Sequence, residues 1–172
     1  MRHATCKLAH LHFAASAQSR RRLIRMGENP NFVFNVGSPA VAGLRDVADI
    51  DDDALRQLGI VPAKPYVVIM HHPVGDSDSD ERRTMDAILR ATAKQQRVVM
   101  APNHDPGRDG IMRAMAAKQI EPITHLPRLQ FLGLLKRCDM LLGNSSAGLI
   151  EASAVKTGGV KVTNIGSRQG GR

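Results

Sequence analysis

Aromatic side chains make up only 3% of this 172-residue chain, and there are two cysteines. With so few rings to stack on bases, and no RNA- or DNA-binding signature, a nucleic-acid partner is not expected, although the formal net charge is +8. Cys6 and Cys138 are far apart and unpatterned. They exclude a disulfide framework and a cysteine zinc site, and read as reduced thiols of a cytoplasmic protein. No apolar run approaches the roughly 18 residues of a spanning helix, so no membrane partner is expected. The N-terminus lacks the apolar core of a signal peptide. Hydrophobic residues are 42% of the chain, which excludes a disordered protein. The length suits one domain, or one domain plus part of another. Part of the positive excess is one run, Arg20, Arg21, Arg22 and Arg25, on an expected helix, where a solvated face explains it. A basic cleft facing a diphosphate would use some of the rest.

What is present is an alternation of strand and helix patterns. Strands are expected at 11–15, 32–36, 66–70, 97–101, 139–142 and 160–165, with a short one near 122–125. Helices are expected at 16–26, 51–58, 82–94, 110–118, 129–137 and from 146 to about Val155. Ser16 is a candidate cap and Gly27 a stop. The acidic segment 75–81 reads as an exposed loop feeding the helix at 82. Such alternation predicts an α/β fold of parallel strands with helices on both faces. Residues 1–39 alone cannot cover both faces of their strands, so apolar surface is expected around Phe13, Phe32 and Phe34.

In such sheets, sites lie beyond the carboxyl ends of the strands. Polar residues collect there: His71 and His72 after Met70, Asn103, His104 and Asp105 after Ala101, His125 after the short strand, Ser145 and Ser146 after Leu142, and Arg168 after Ile165. The richest stretch is DMLLGNSSAGLIEAS at 139–153. A strand, a small-residue turn and a helix start make an anion site, because first-turn N–H groups and the helix dipole favour negative charge. Glu151, one turn deeper, can accept two hydrogen bonds from a vicinal diol such as a ribose. An ordinary helix cap with a solvated Glu explains the same residues. A zinc reading of His71, His72, His104, Asp105 and His125 is disfavoured, since no HxH or HExxH spacing occurs. Ser146 lacks the glycine pattern of a nucleophile elbow.

The motifs MRHATCKLAHLHF at 1–13, FNVGSP at 34–39, HHPV at 71–74, APNHDPG at 101–107, GNSSAGLIEAS at 143–153 and NIGSRQGGR at 164–172 resemble the UDP-N-acetylglucosamine 2-epimerase family. They are most similar to its hydrolysing branch, which forms N-acetylmannosamine and UDP. The resemblance implies a GT-B fold of two Rossmann-like domains, with residues 1–42 the end of the first and 43–172 the nucleotide-binding second, short of its final helices. It implies a UDP-sugar substrate, no cofactor and no metal, and leaves room for a homo-oligomer. At matching positions it implies that His72 lies near the sugar and diphosphate and acts in catalysis. Asn103 would contact the nucleotide, Ser145 and Ser146 the diphosphate, Glu151 the ribose and Arg168 the phosphate region. The family's proton-moving acids would lie upstream of residue 1, so these 172 residues alone are expected to be inactive. The 151–168 segment is longer than the family's usual spacing, which bears on Arg168. A glycosyltransferase of the same fold, a non-hydrolysing epimerase, and a non-enzymatic basic domain that binds nucleic acid are the competing readings.

Overall fold

The computed structural model describes all residues except Met1, Ala48, Leu149, 156–160 and 165–172. The chain divides into two units, Met1–Ala42 and Gly43–Arg172.

The first unit contains helix α1 (Arg2–Leu8), strand β1 (His12–Ala14), helix α2 (Ala17–Arg25) and strand β2 (Val33–Asn35). The sequence gives no clear period over residues 2–8, yet the segment is helical. Ser16 does cap α2: its side chain accepts from the Ser19 N–H at 3.1 Å. The helix ends at Gly27, whose φ of 90° suits glycine. β1 and β2 pair in parallel, with Phe13 opposite Phe34. A crossover through α2 makes this a βαβ unit. Ala14 and Val33 are buried on one face. On the other, Phe13 and Phe34 stack with ring centroids 5.8 Å apart and stay 67% and 43% exposed, with Phe32 exposed beside them in sequence. The expected open apolar surface is therefore present. Arg21, Arg22 and Arg25 are exposed, whereas Arg20 Nε donates to the Val33 carbonyl.

The second unit runs α3 (Leu44–Val47), α4 (Asp52–Gln57), β3 (Tyr66–Met70), α5 (Asp78–Ala91), β4 (Gln96–Val99), α6 (Arg108–Ala116), α7 (Arg128–Arg137), β5 (Met140–Gly143), α8 (Glu151–Val155) and β6 (Lys161–Asn164). Its strands are all parallel, in the order β4-β3-β5-β6. Residues 122–125 contribute a single parallel bridge, Met100 to Ile123. β3 is central, and all five of its residues are buried. Val67 and Ile69 enter a core with Met85, Ile88 and Leu89 of α5 and Ile111, Ala114 and Met115 of α6. Tyr66 points the other way, its hydroxyl donating to the Leu134 carbonyl of α7 at 2.9 Å. The sheet is thus flanked by helices on both faces, as its continuous apolar strand demands.

In this unit α3 has no counterpart among the expected helices, and the helices expected at 82 and at 146 differ in extent. α5 starts at Asp78, a turn before 82, because Ser77 caps it by accepting from the Asp80 N–H. The supposed exposed segment therefore ends in the helix, and Glu81 is buried. The helix expected from 146 to 155 is broken into a 3-10 turn, Ser146–Gly148, and the five-residue α8. Among the described residues, no helix is long and apolar enough to cross a membrane.

Candidate functional site

The chain leaves β3 in one direction to β4 and returns on the other side to β5. The strand order therefore reverses between β3 and β5, and this is where open parallel sheets form a crevice for ligands. The two strand ends are unusually close. A Cβ on Gly143, at φ 146°, would lie 2.0 Å from the Met70 carbonyl oxygen, so only glycine fits. The next residue, Asn144, is 6% exposed and braces the strand ends. Its backbone N–H donates to the Met70 carbonyl at 3.2 Å. Its side-chain Oδ1 accepts from the His72 N–H at 2.8 Å, and its Nδ2 donates to the His72 carbonyl at 2.7 Å.

The His72 ring is tied to the neighbouring loop. Its Nδ1 accepts from the Asn103 backbone N–H at 3.3 Å, which places the proton of the neutral imidazole on Nε2. Asn103 in turn donates from Nδ2 to Asp105, while its Oδ1 is buried without a hydrogen-bond partner. Arg108 Nε, at the start of α6, is likewise buried and unpartnered among the described residues. Orphaned polar atoms at a sheet edge are groups that a polar ligand can satisfy.

His71 faces inward and is 2% exposed. Its Nε2 lies 3.4 Å from Glu81 Oε2, and the Glu81 side chain is equally buried. Burial pushes the His71 imidazole below its ordinary range, against the opposing pull of the Glu81 carboxylate. Glu81 Oε1 accepts from the Val74 N–H at 2.6 Å.

After β5, Ser145 is half-buried and Ser146 exposed. The turn uses much of its own donor capacity. The Ala147 N–H bonds Ser145 Oγ at 3.3 Å, the Gly148 N–H bonds the Ser145 carbonyl, and the Ile150 N–H bonds the Ser146 carbonyl. The expected array of free helix-tip donors is thereby corrected, since α8 is too short for a strong dipole and its approach is self-bonded. What the loop offers is the two hydroxyls. Glu151, half-buried, is the first residue of α8. Arg168 lies outside the described residues.

The structure brings His72 and Asn103 into contact and joins them through Asn144 to the Ser145–Ser146 loop. His104 and His125 are exposed. No group of three or more metal-ligating side chains occurs among the described residues. Neither cysteine is in a disulfide. Sequence reasoning missed Asn144 as a brace and Glu81 as a buried acid. Glu81 could have been found by extending the apolar period Met85, Ile88, Leu89 back by four residues.

The family model "UDP-N-acetylglucosamine 2-epimerase" matches residues 1–172. A UDP-N,N'-diacetylbacillosamine 2-epimerase (hydrolyzing) from Legionella pneumophila is 35% identical, over 98% of this chain and 46% of the relative. A UDP-N-acetylglucosamine 2-epimerase from Neisseria meningitidis is 29% identical, over 100% of this chain and 46% of the relative. The chain thus spans about half the length of the curated relatives it matches. Among solved structures, the Neisseria meningitidis UDP-GlcNAc 2-epimerase bound to UDP-GlcNAc superposes with a TM-score of 0.69 at 16% identity, over 96% of this chain and 47% of that one. The Methanocaldococcus jannaschii UDP-GlcNAc 2-epimerase in complex with UDP-GlcNAc and UDP gives 0.69 at 17% identity, over 95% and 52%. The parallel sheets flanked by helices are therefore of GT-B type. With the family model matched from the first residue to the last, this chain belongs to the UDP-N-acetylglucosamine 2-epimerase family.

Proposed function

We propose that residues 43–172 hold the UDP moiety of a nucleotide sugar beyond the carboxyl ends of β3, β4 and β5. The protein is then a hydrolysing UDP-N-acetylglucosamine 2-epimerase that releases N-acetylmannosamine and UDP. The observation that carries this reading is the His72–Asn103–Asn144 hydrogen-bonded cluster at the switch point, next to the Ser145–Ser146 loop. In this reading Ser145 and Ser146 bind the diphosphate, Glu151 the ribose, Asn103 the nucleotide and Arg168 the phosphate region.

The reaction eliminates across C1 and C2 of the sugar. A base takes the C2 proton, the C1–O bond breaks, and UDP departs with the bonding pair. Water then adds to the glycal, hydroxyl to C1 and proton to C2. Loss of a carbon-bound proton is difficult, so charge building on the departing diphosphate must be met by fixed donors. His72, holding its proton on Nε2 because Nδ1 is engaged, supplies such a donor. These 172 residues supply the leaving-group half of the chemistry.

The 35% identity to a relative that carries the name UDP-N,N'-diacetylbacillosamine 2-epimerase (hydrolyzing) favours a second sugar for the same reaction. Product analysis decides between the readings. A chimera that joins this chain to the upstream half of a full-length relative should convert UDP-N-acetylglucosamine to free N-acetylmannosamine. Epimerised UDP-sugar as product would assign the non-hydrolysing branch, and turnover of only the diacetylbacillosamine nucleotide would assign that sugar.

A further inference from the structure

Behind the turn that carries His72 lies a carboxylate that the proposed reaction does not use. Glu81 is in the first turn of α5, and its side chain is 2% exposed. Burying a carboxylate is costly unless its oxygens are satisfied. One oxygen accepts from the Val74 N–H at 2.6 Å, and the other faces His71 Nε2 at 3.4 Å. Both contacts fall within residues 71–74, on either side of His72. The third neighbour is the 101–107 loop, which supplies the Asn103 N–H to His72. A Cβ on Gly107, at φ 94°, would stand 2.9 Å from Glu81 Cγ and 3.4 Å from Pro73 Cβ. The absent side chain lets that loop close onto the carboxylate. Glu81 thus sits where α5, the HHPV turn and the 101–107 loop meet.

We propose that Glu81 is a positioning residue for His72, pinning the HHPV turn from behind and seating the 101–107 loop that orients the imidazole. The proposal rests on the reading of His72 as a donor to the UDP leaving group. A carboxylate that served stability alone would leave the His72 ring where it is when removed. One that positions the turn sets which ring nitrogen carries the proton, since that depends on the Asn103 contact.

The test is long-range proton–nitrogen NMR of the histidine rings in the 172-residue chain, with His72 assigned by His72→Gln, alongside calorimetric titration with UDP. Wild type should show an unprotonated Nδ1 and a protonated Nε2 at His72. Glu81→Ala should move His72 toward a mixture of tautomers and weaken UDP about tenfold, the scale of one unsatisfied buried group. Glu81→Gln, whose amide oxygen can still accept from Val74, should restore the His72 signals. Val74→Pro removes the donor from an exposed residue, keeps Glu81, and should reproduce the His72 shift if Glu81→Ala does not fold. Wild-type His72 signals in Glu81→Ala or in Val74→Pro would overturn the proposal. UDP binding by neither wild type nor variants would instead refute the functional reading, while the His72 signals still decide the role of Glu81.

Discussion

The side-chain amide of Asn144 holds both main-chain polar groups of His72, with Oδ1 taking the N–H at 2.8 Å and Nδ2 giving to the carbonyl at 2.7 Å. Two residues 72 positions apart in sequence are joined as neighbouring strands would be, beyond the point where β3 and β5 have ended. The hydroxyl loop after β5 and the imidazole after β3 are therefore joined into one piece through Asn144.

Asn144→Ala removes that piece's fastener. It takes the side-chain amide away from the half-buried N–H and C=O of His72, at a cost of about 1–3 kcal/mol. Urea unfolding should show the loss in the midpoint. UDP affinity should fall further than the stability change alone accounts for, as read by calorimetry at a temperature where both proteins are folded.

The serines differ in what they support. Ser146→Ala removes one exposed hydroxyl and should weaken UDP by about 1 kcal/mol, with stability unchanged. Ser145→Ala also deprives the Ala147 N–H of its acceptor, so it should lower both affinity and melting temperature. Arg168→Ala should weaken UDP more than either, by roughly 1.5–3 kcal/mol, if a charge-assisted contact is lost. Parallel UDP titrations of the three variants rank them.

The burial of His71 makes stability depend on pH in a defined sense. Its folded-state pKa is lowered, chiefly by desolvation. The unfolded chain then takes up a proton more readily, so stability rises with pH between the folded value and the ordinary value near 6.5. This contribution is fully present above about pH 6.5 and is lost as pH falls through that window. The difference in unfolding free energy between pH 7.5 and pH 5.5 should shrink in His71→Phe. An unchanged difference would mean that folding does not shift the His71 pKa, and a widened one that the folded protein holds His71 charged.

Much of this architecture is legible in the sequence because it is local. The five apolar residues Tyr66–Met70 can only be a doubly buried strand, and Ser16 announces its helix by capping it. Phe13 and Phe34 are readable as exposed because one crossover helix cannot cover two faces. What escaped is non-local or a matter of register. Asn144 reads as turn punctuation until β5 is known to lie beside β3. Glu81 reads as one more acid in a solvated run, until Ser77 starts the helix a turn early and rotates it inward beside Met85. The helix expected through 146–155 is interrupted because Ser145 and Ser146 bond their own turn. The candidate residues at the strand ends follow from topology alone.

The central claim is that residues 43–172 carry a site for uridine diphosphate, and a thermal-shift titration with uridine, adenosine and guanosine diphosphates tests it most directly. At a hundredfold excess over Kd, a ligand adds about 2.7 kcal/mol of stability, several degrees for a chain of this length. UDP should raise the melting temperature of the wild-type chain by that order, ADP and GDP should do so far less, and Asn144→Ala should blunt the UDP response. Equal shifts from all three nucleotides, or a folded chain that responds to none of them, would contradict the claim.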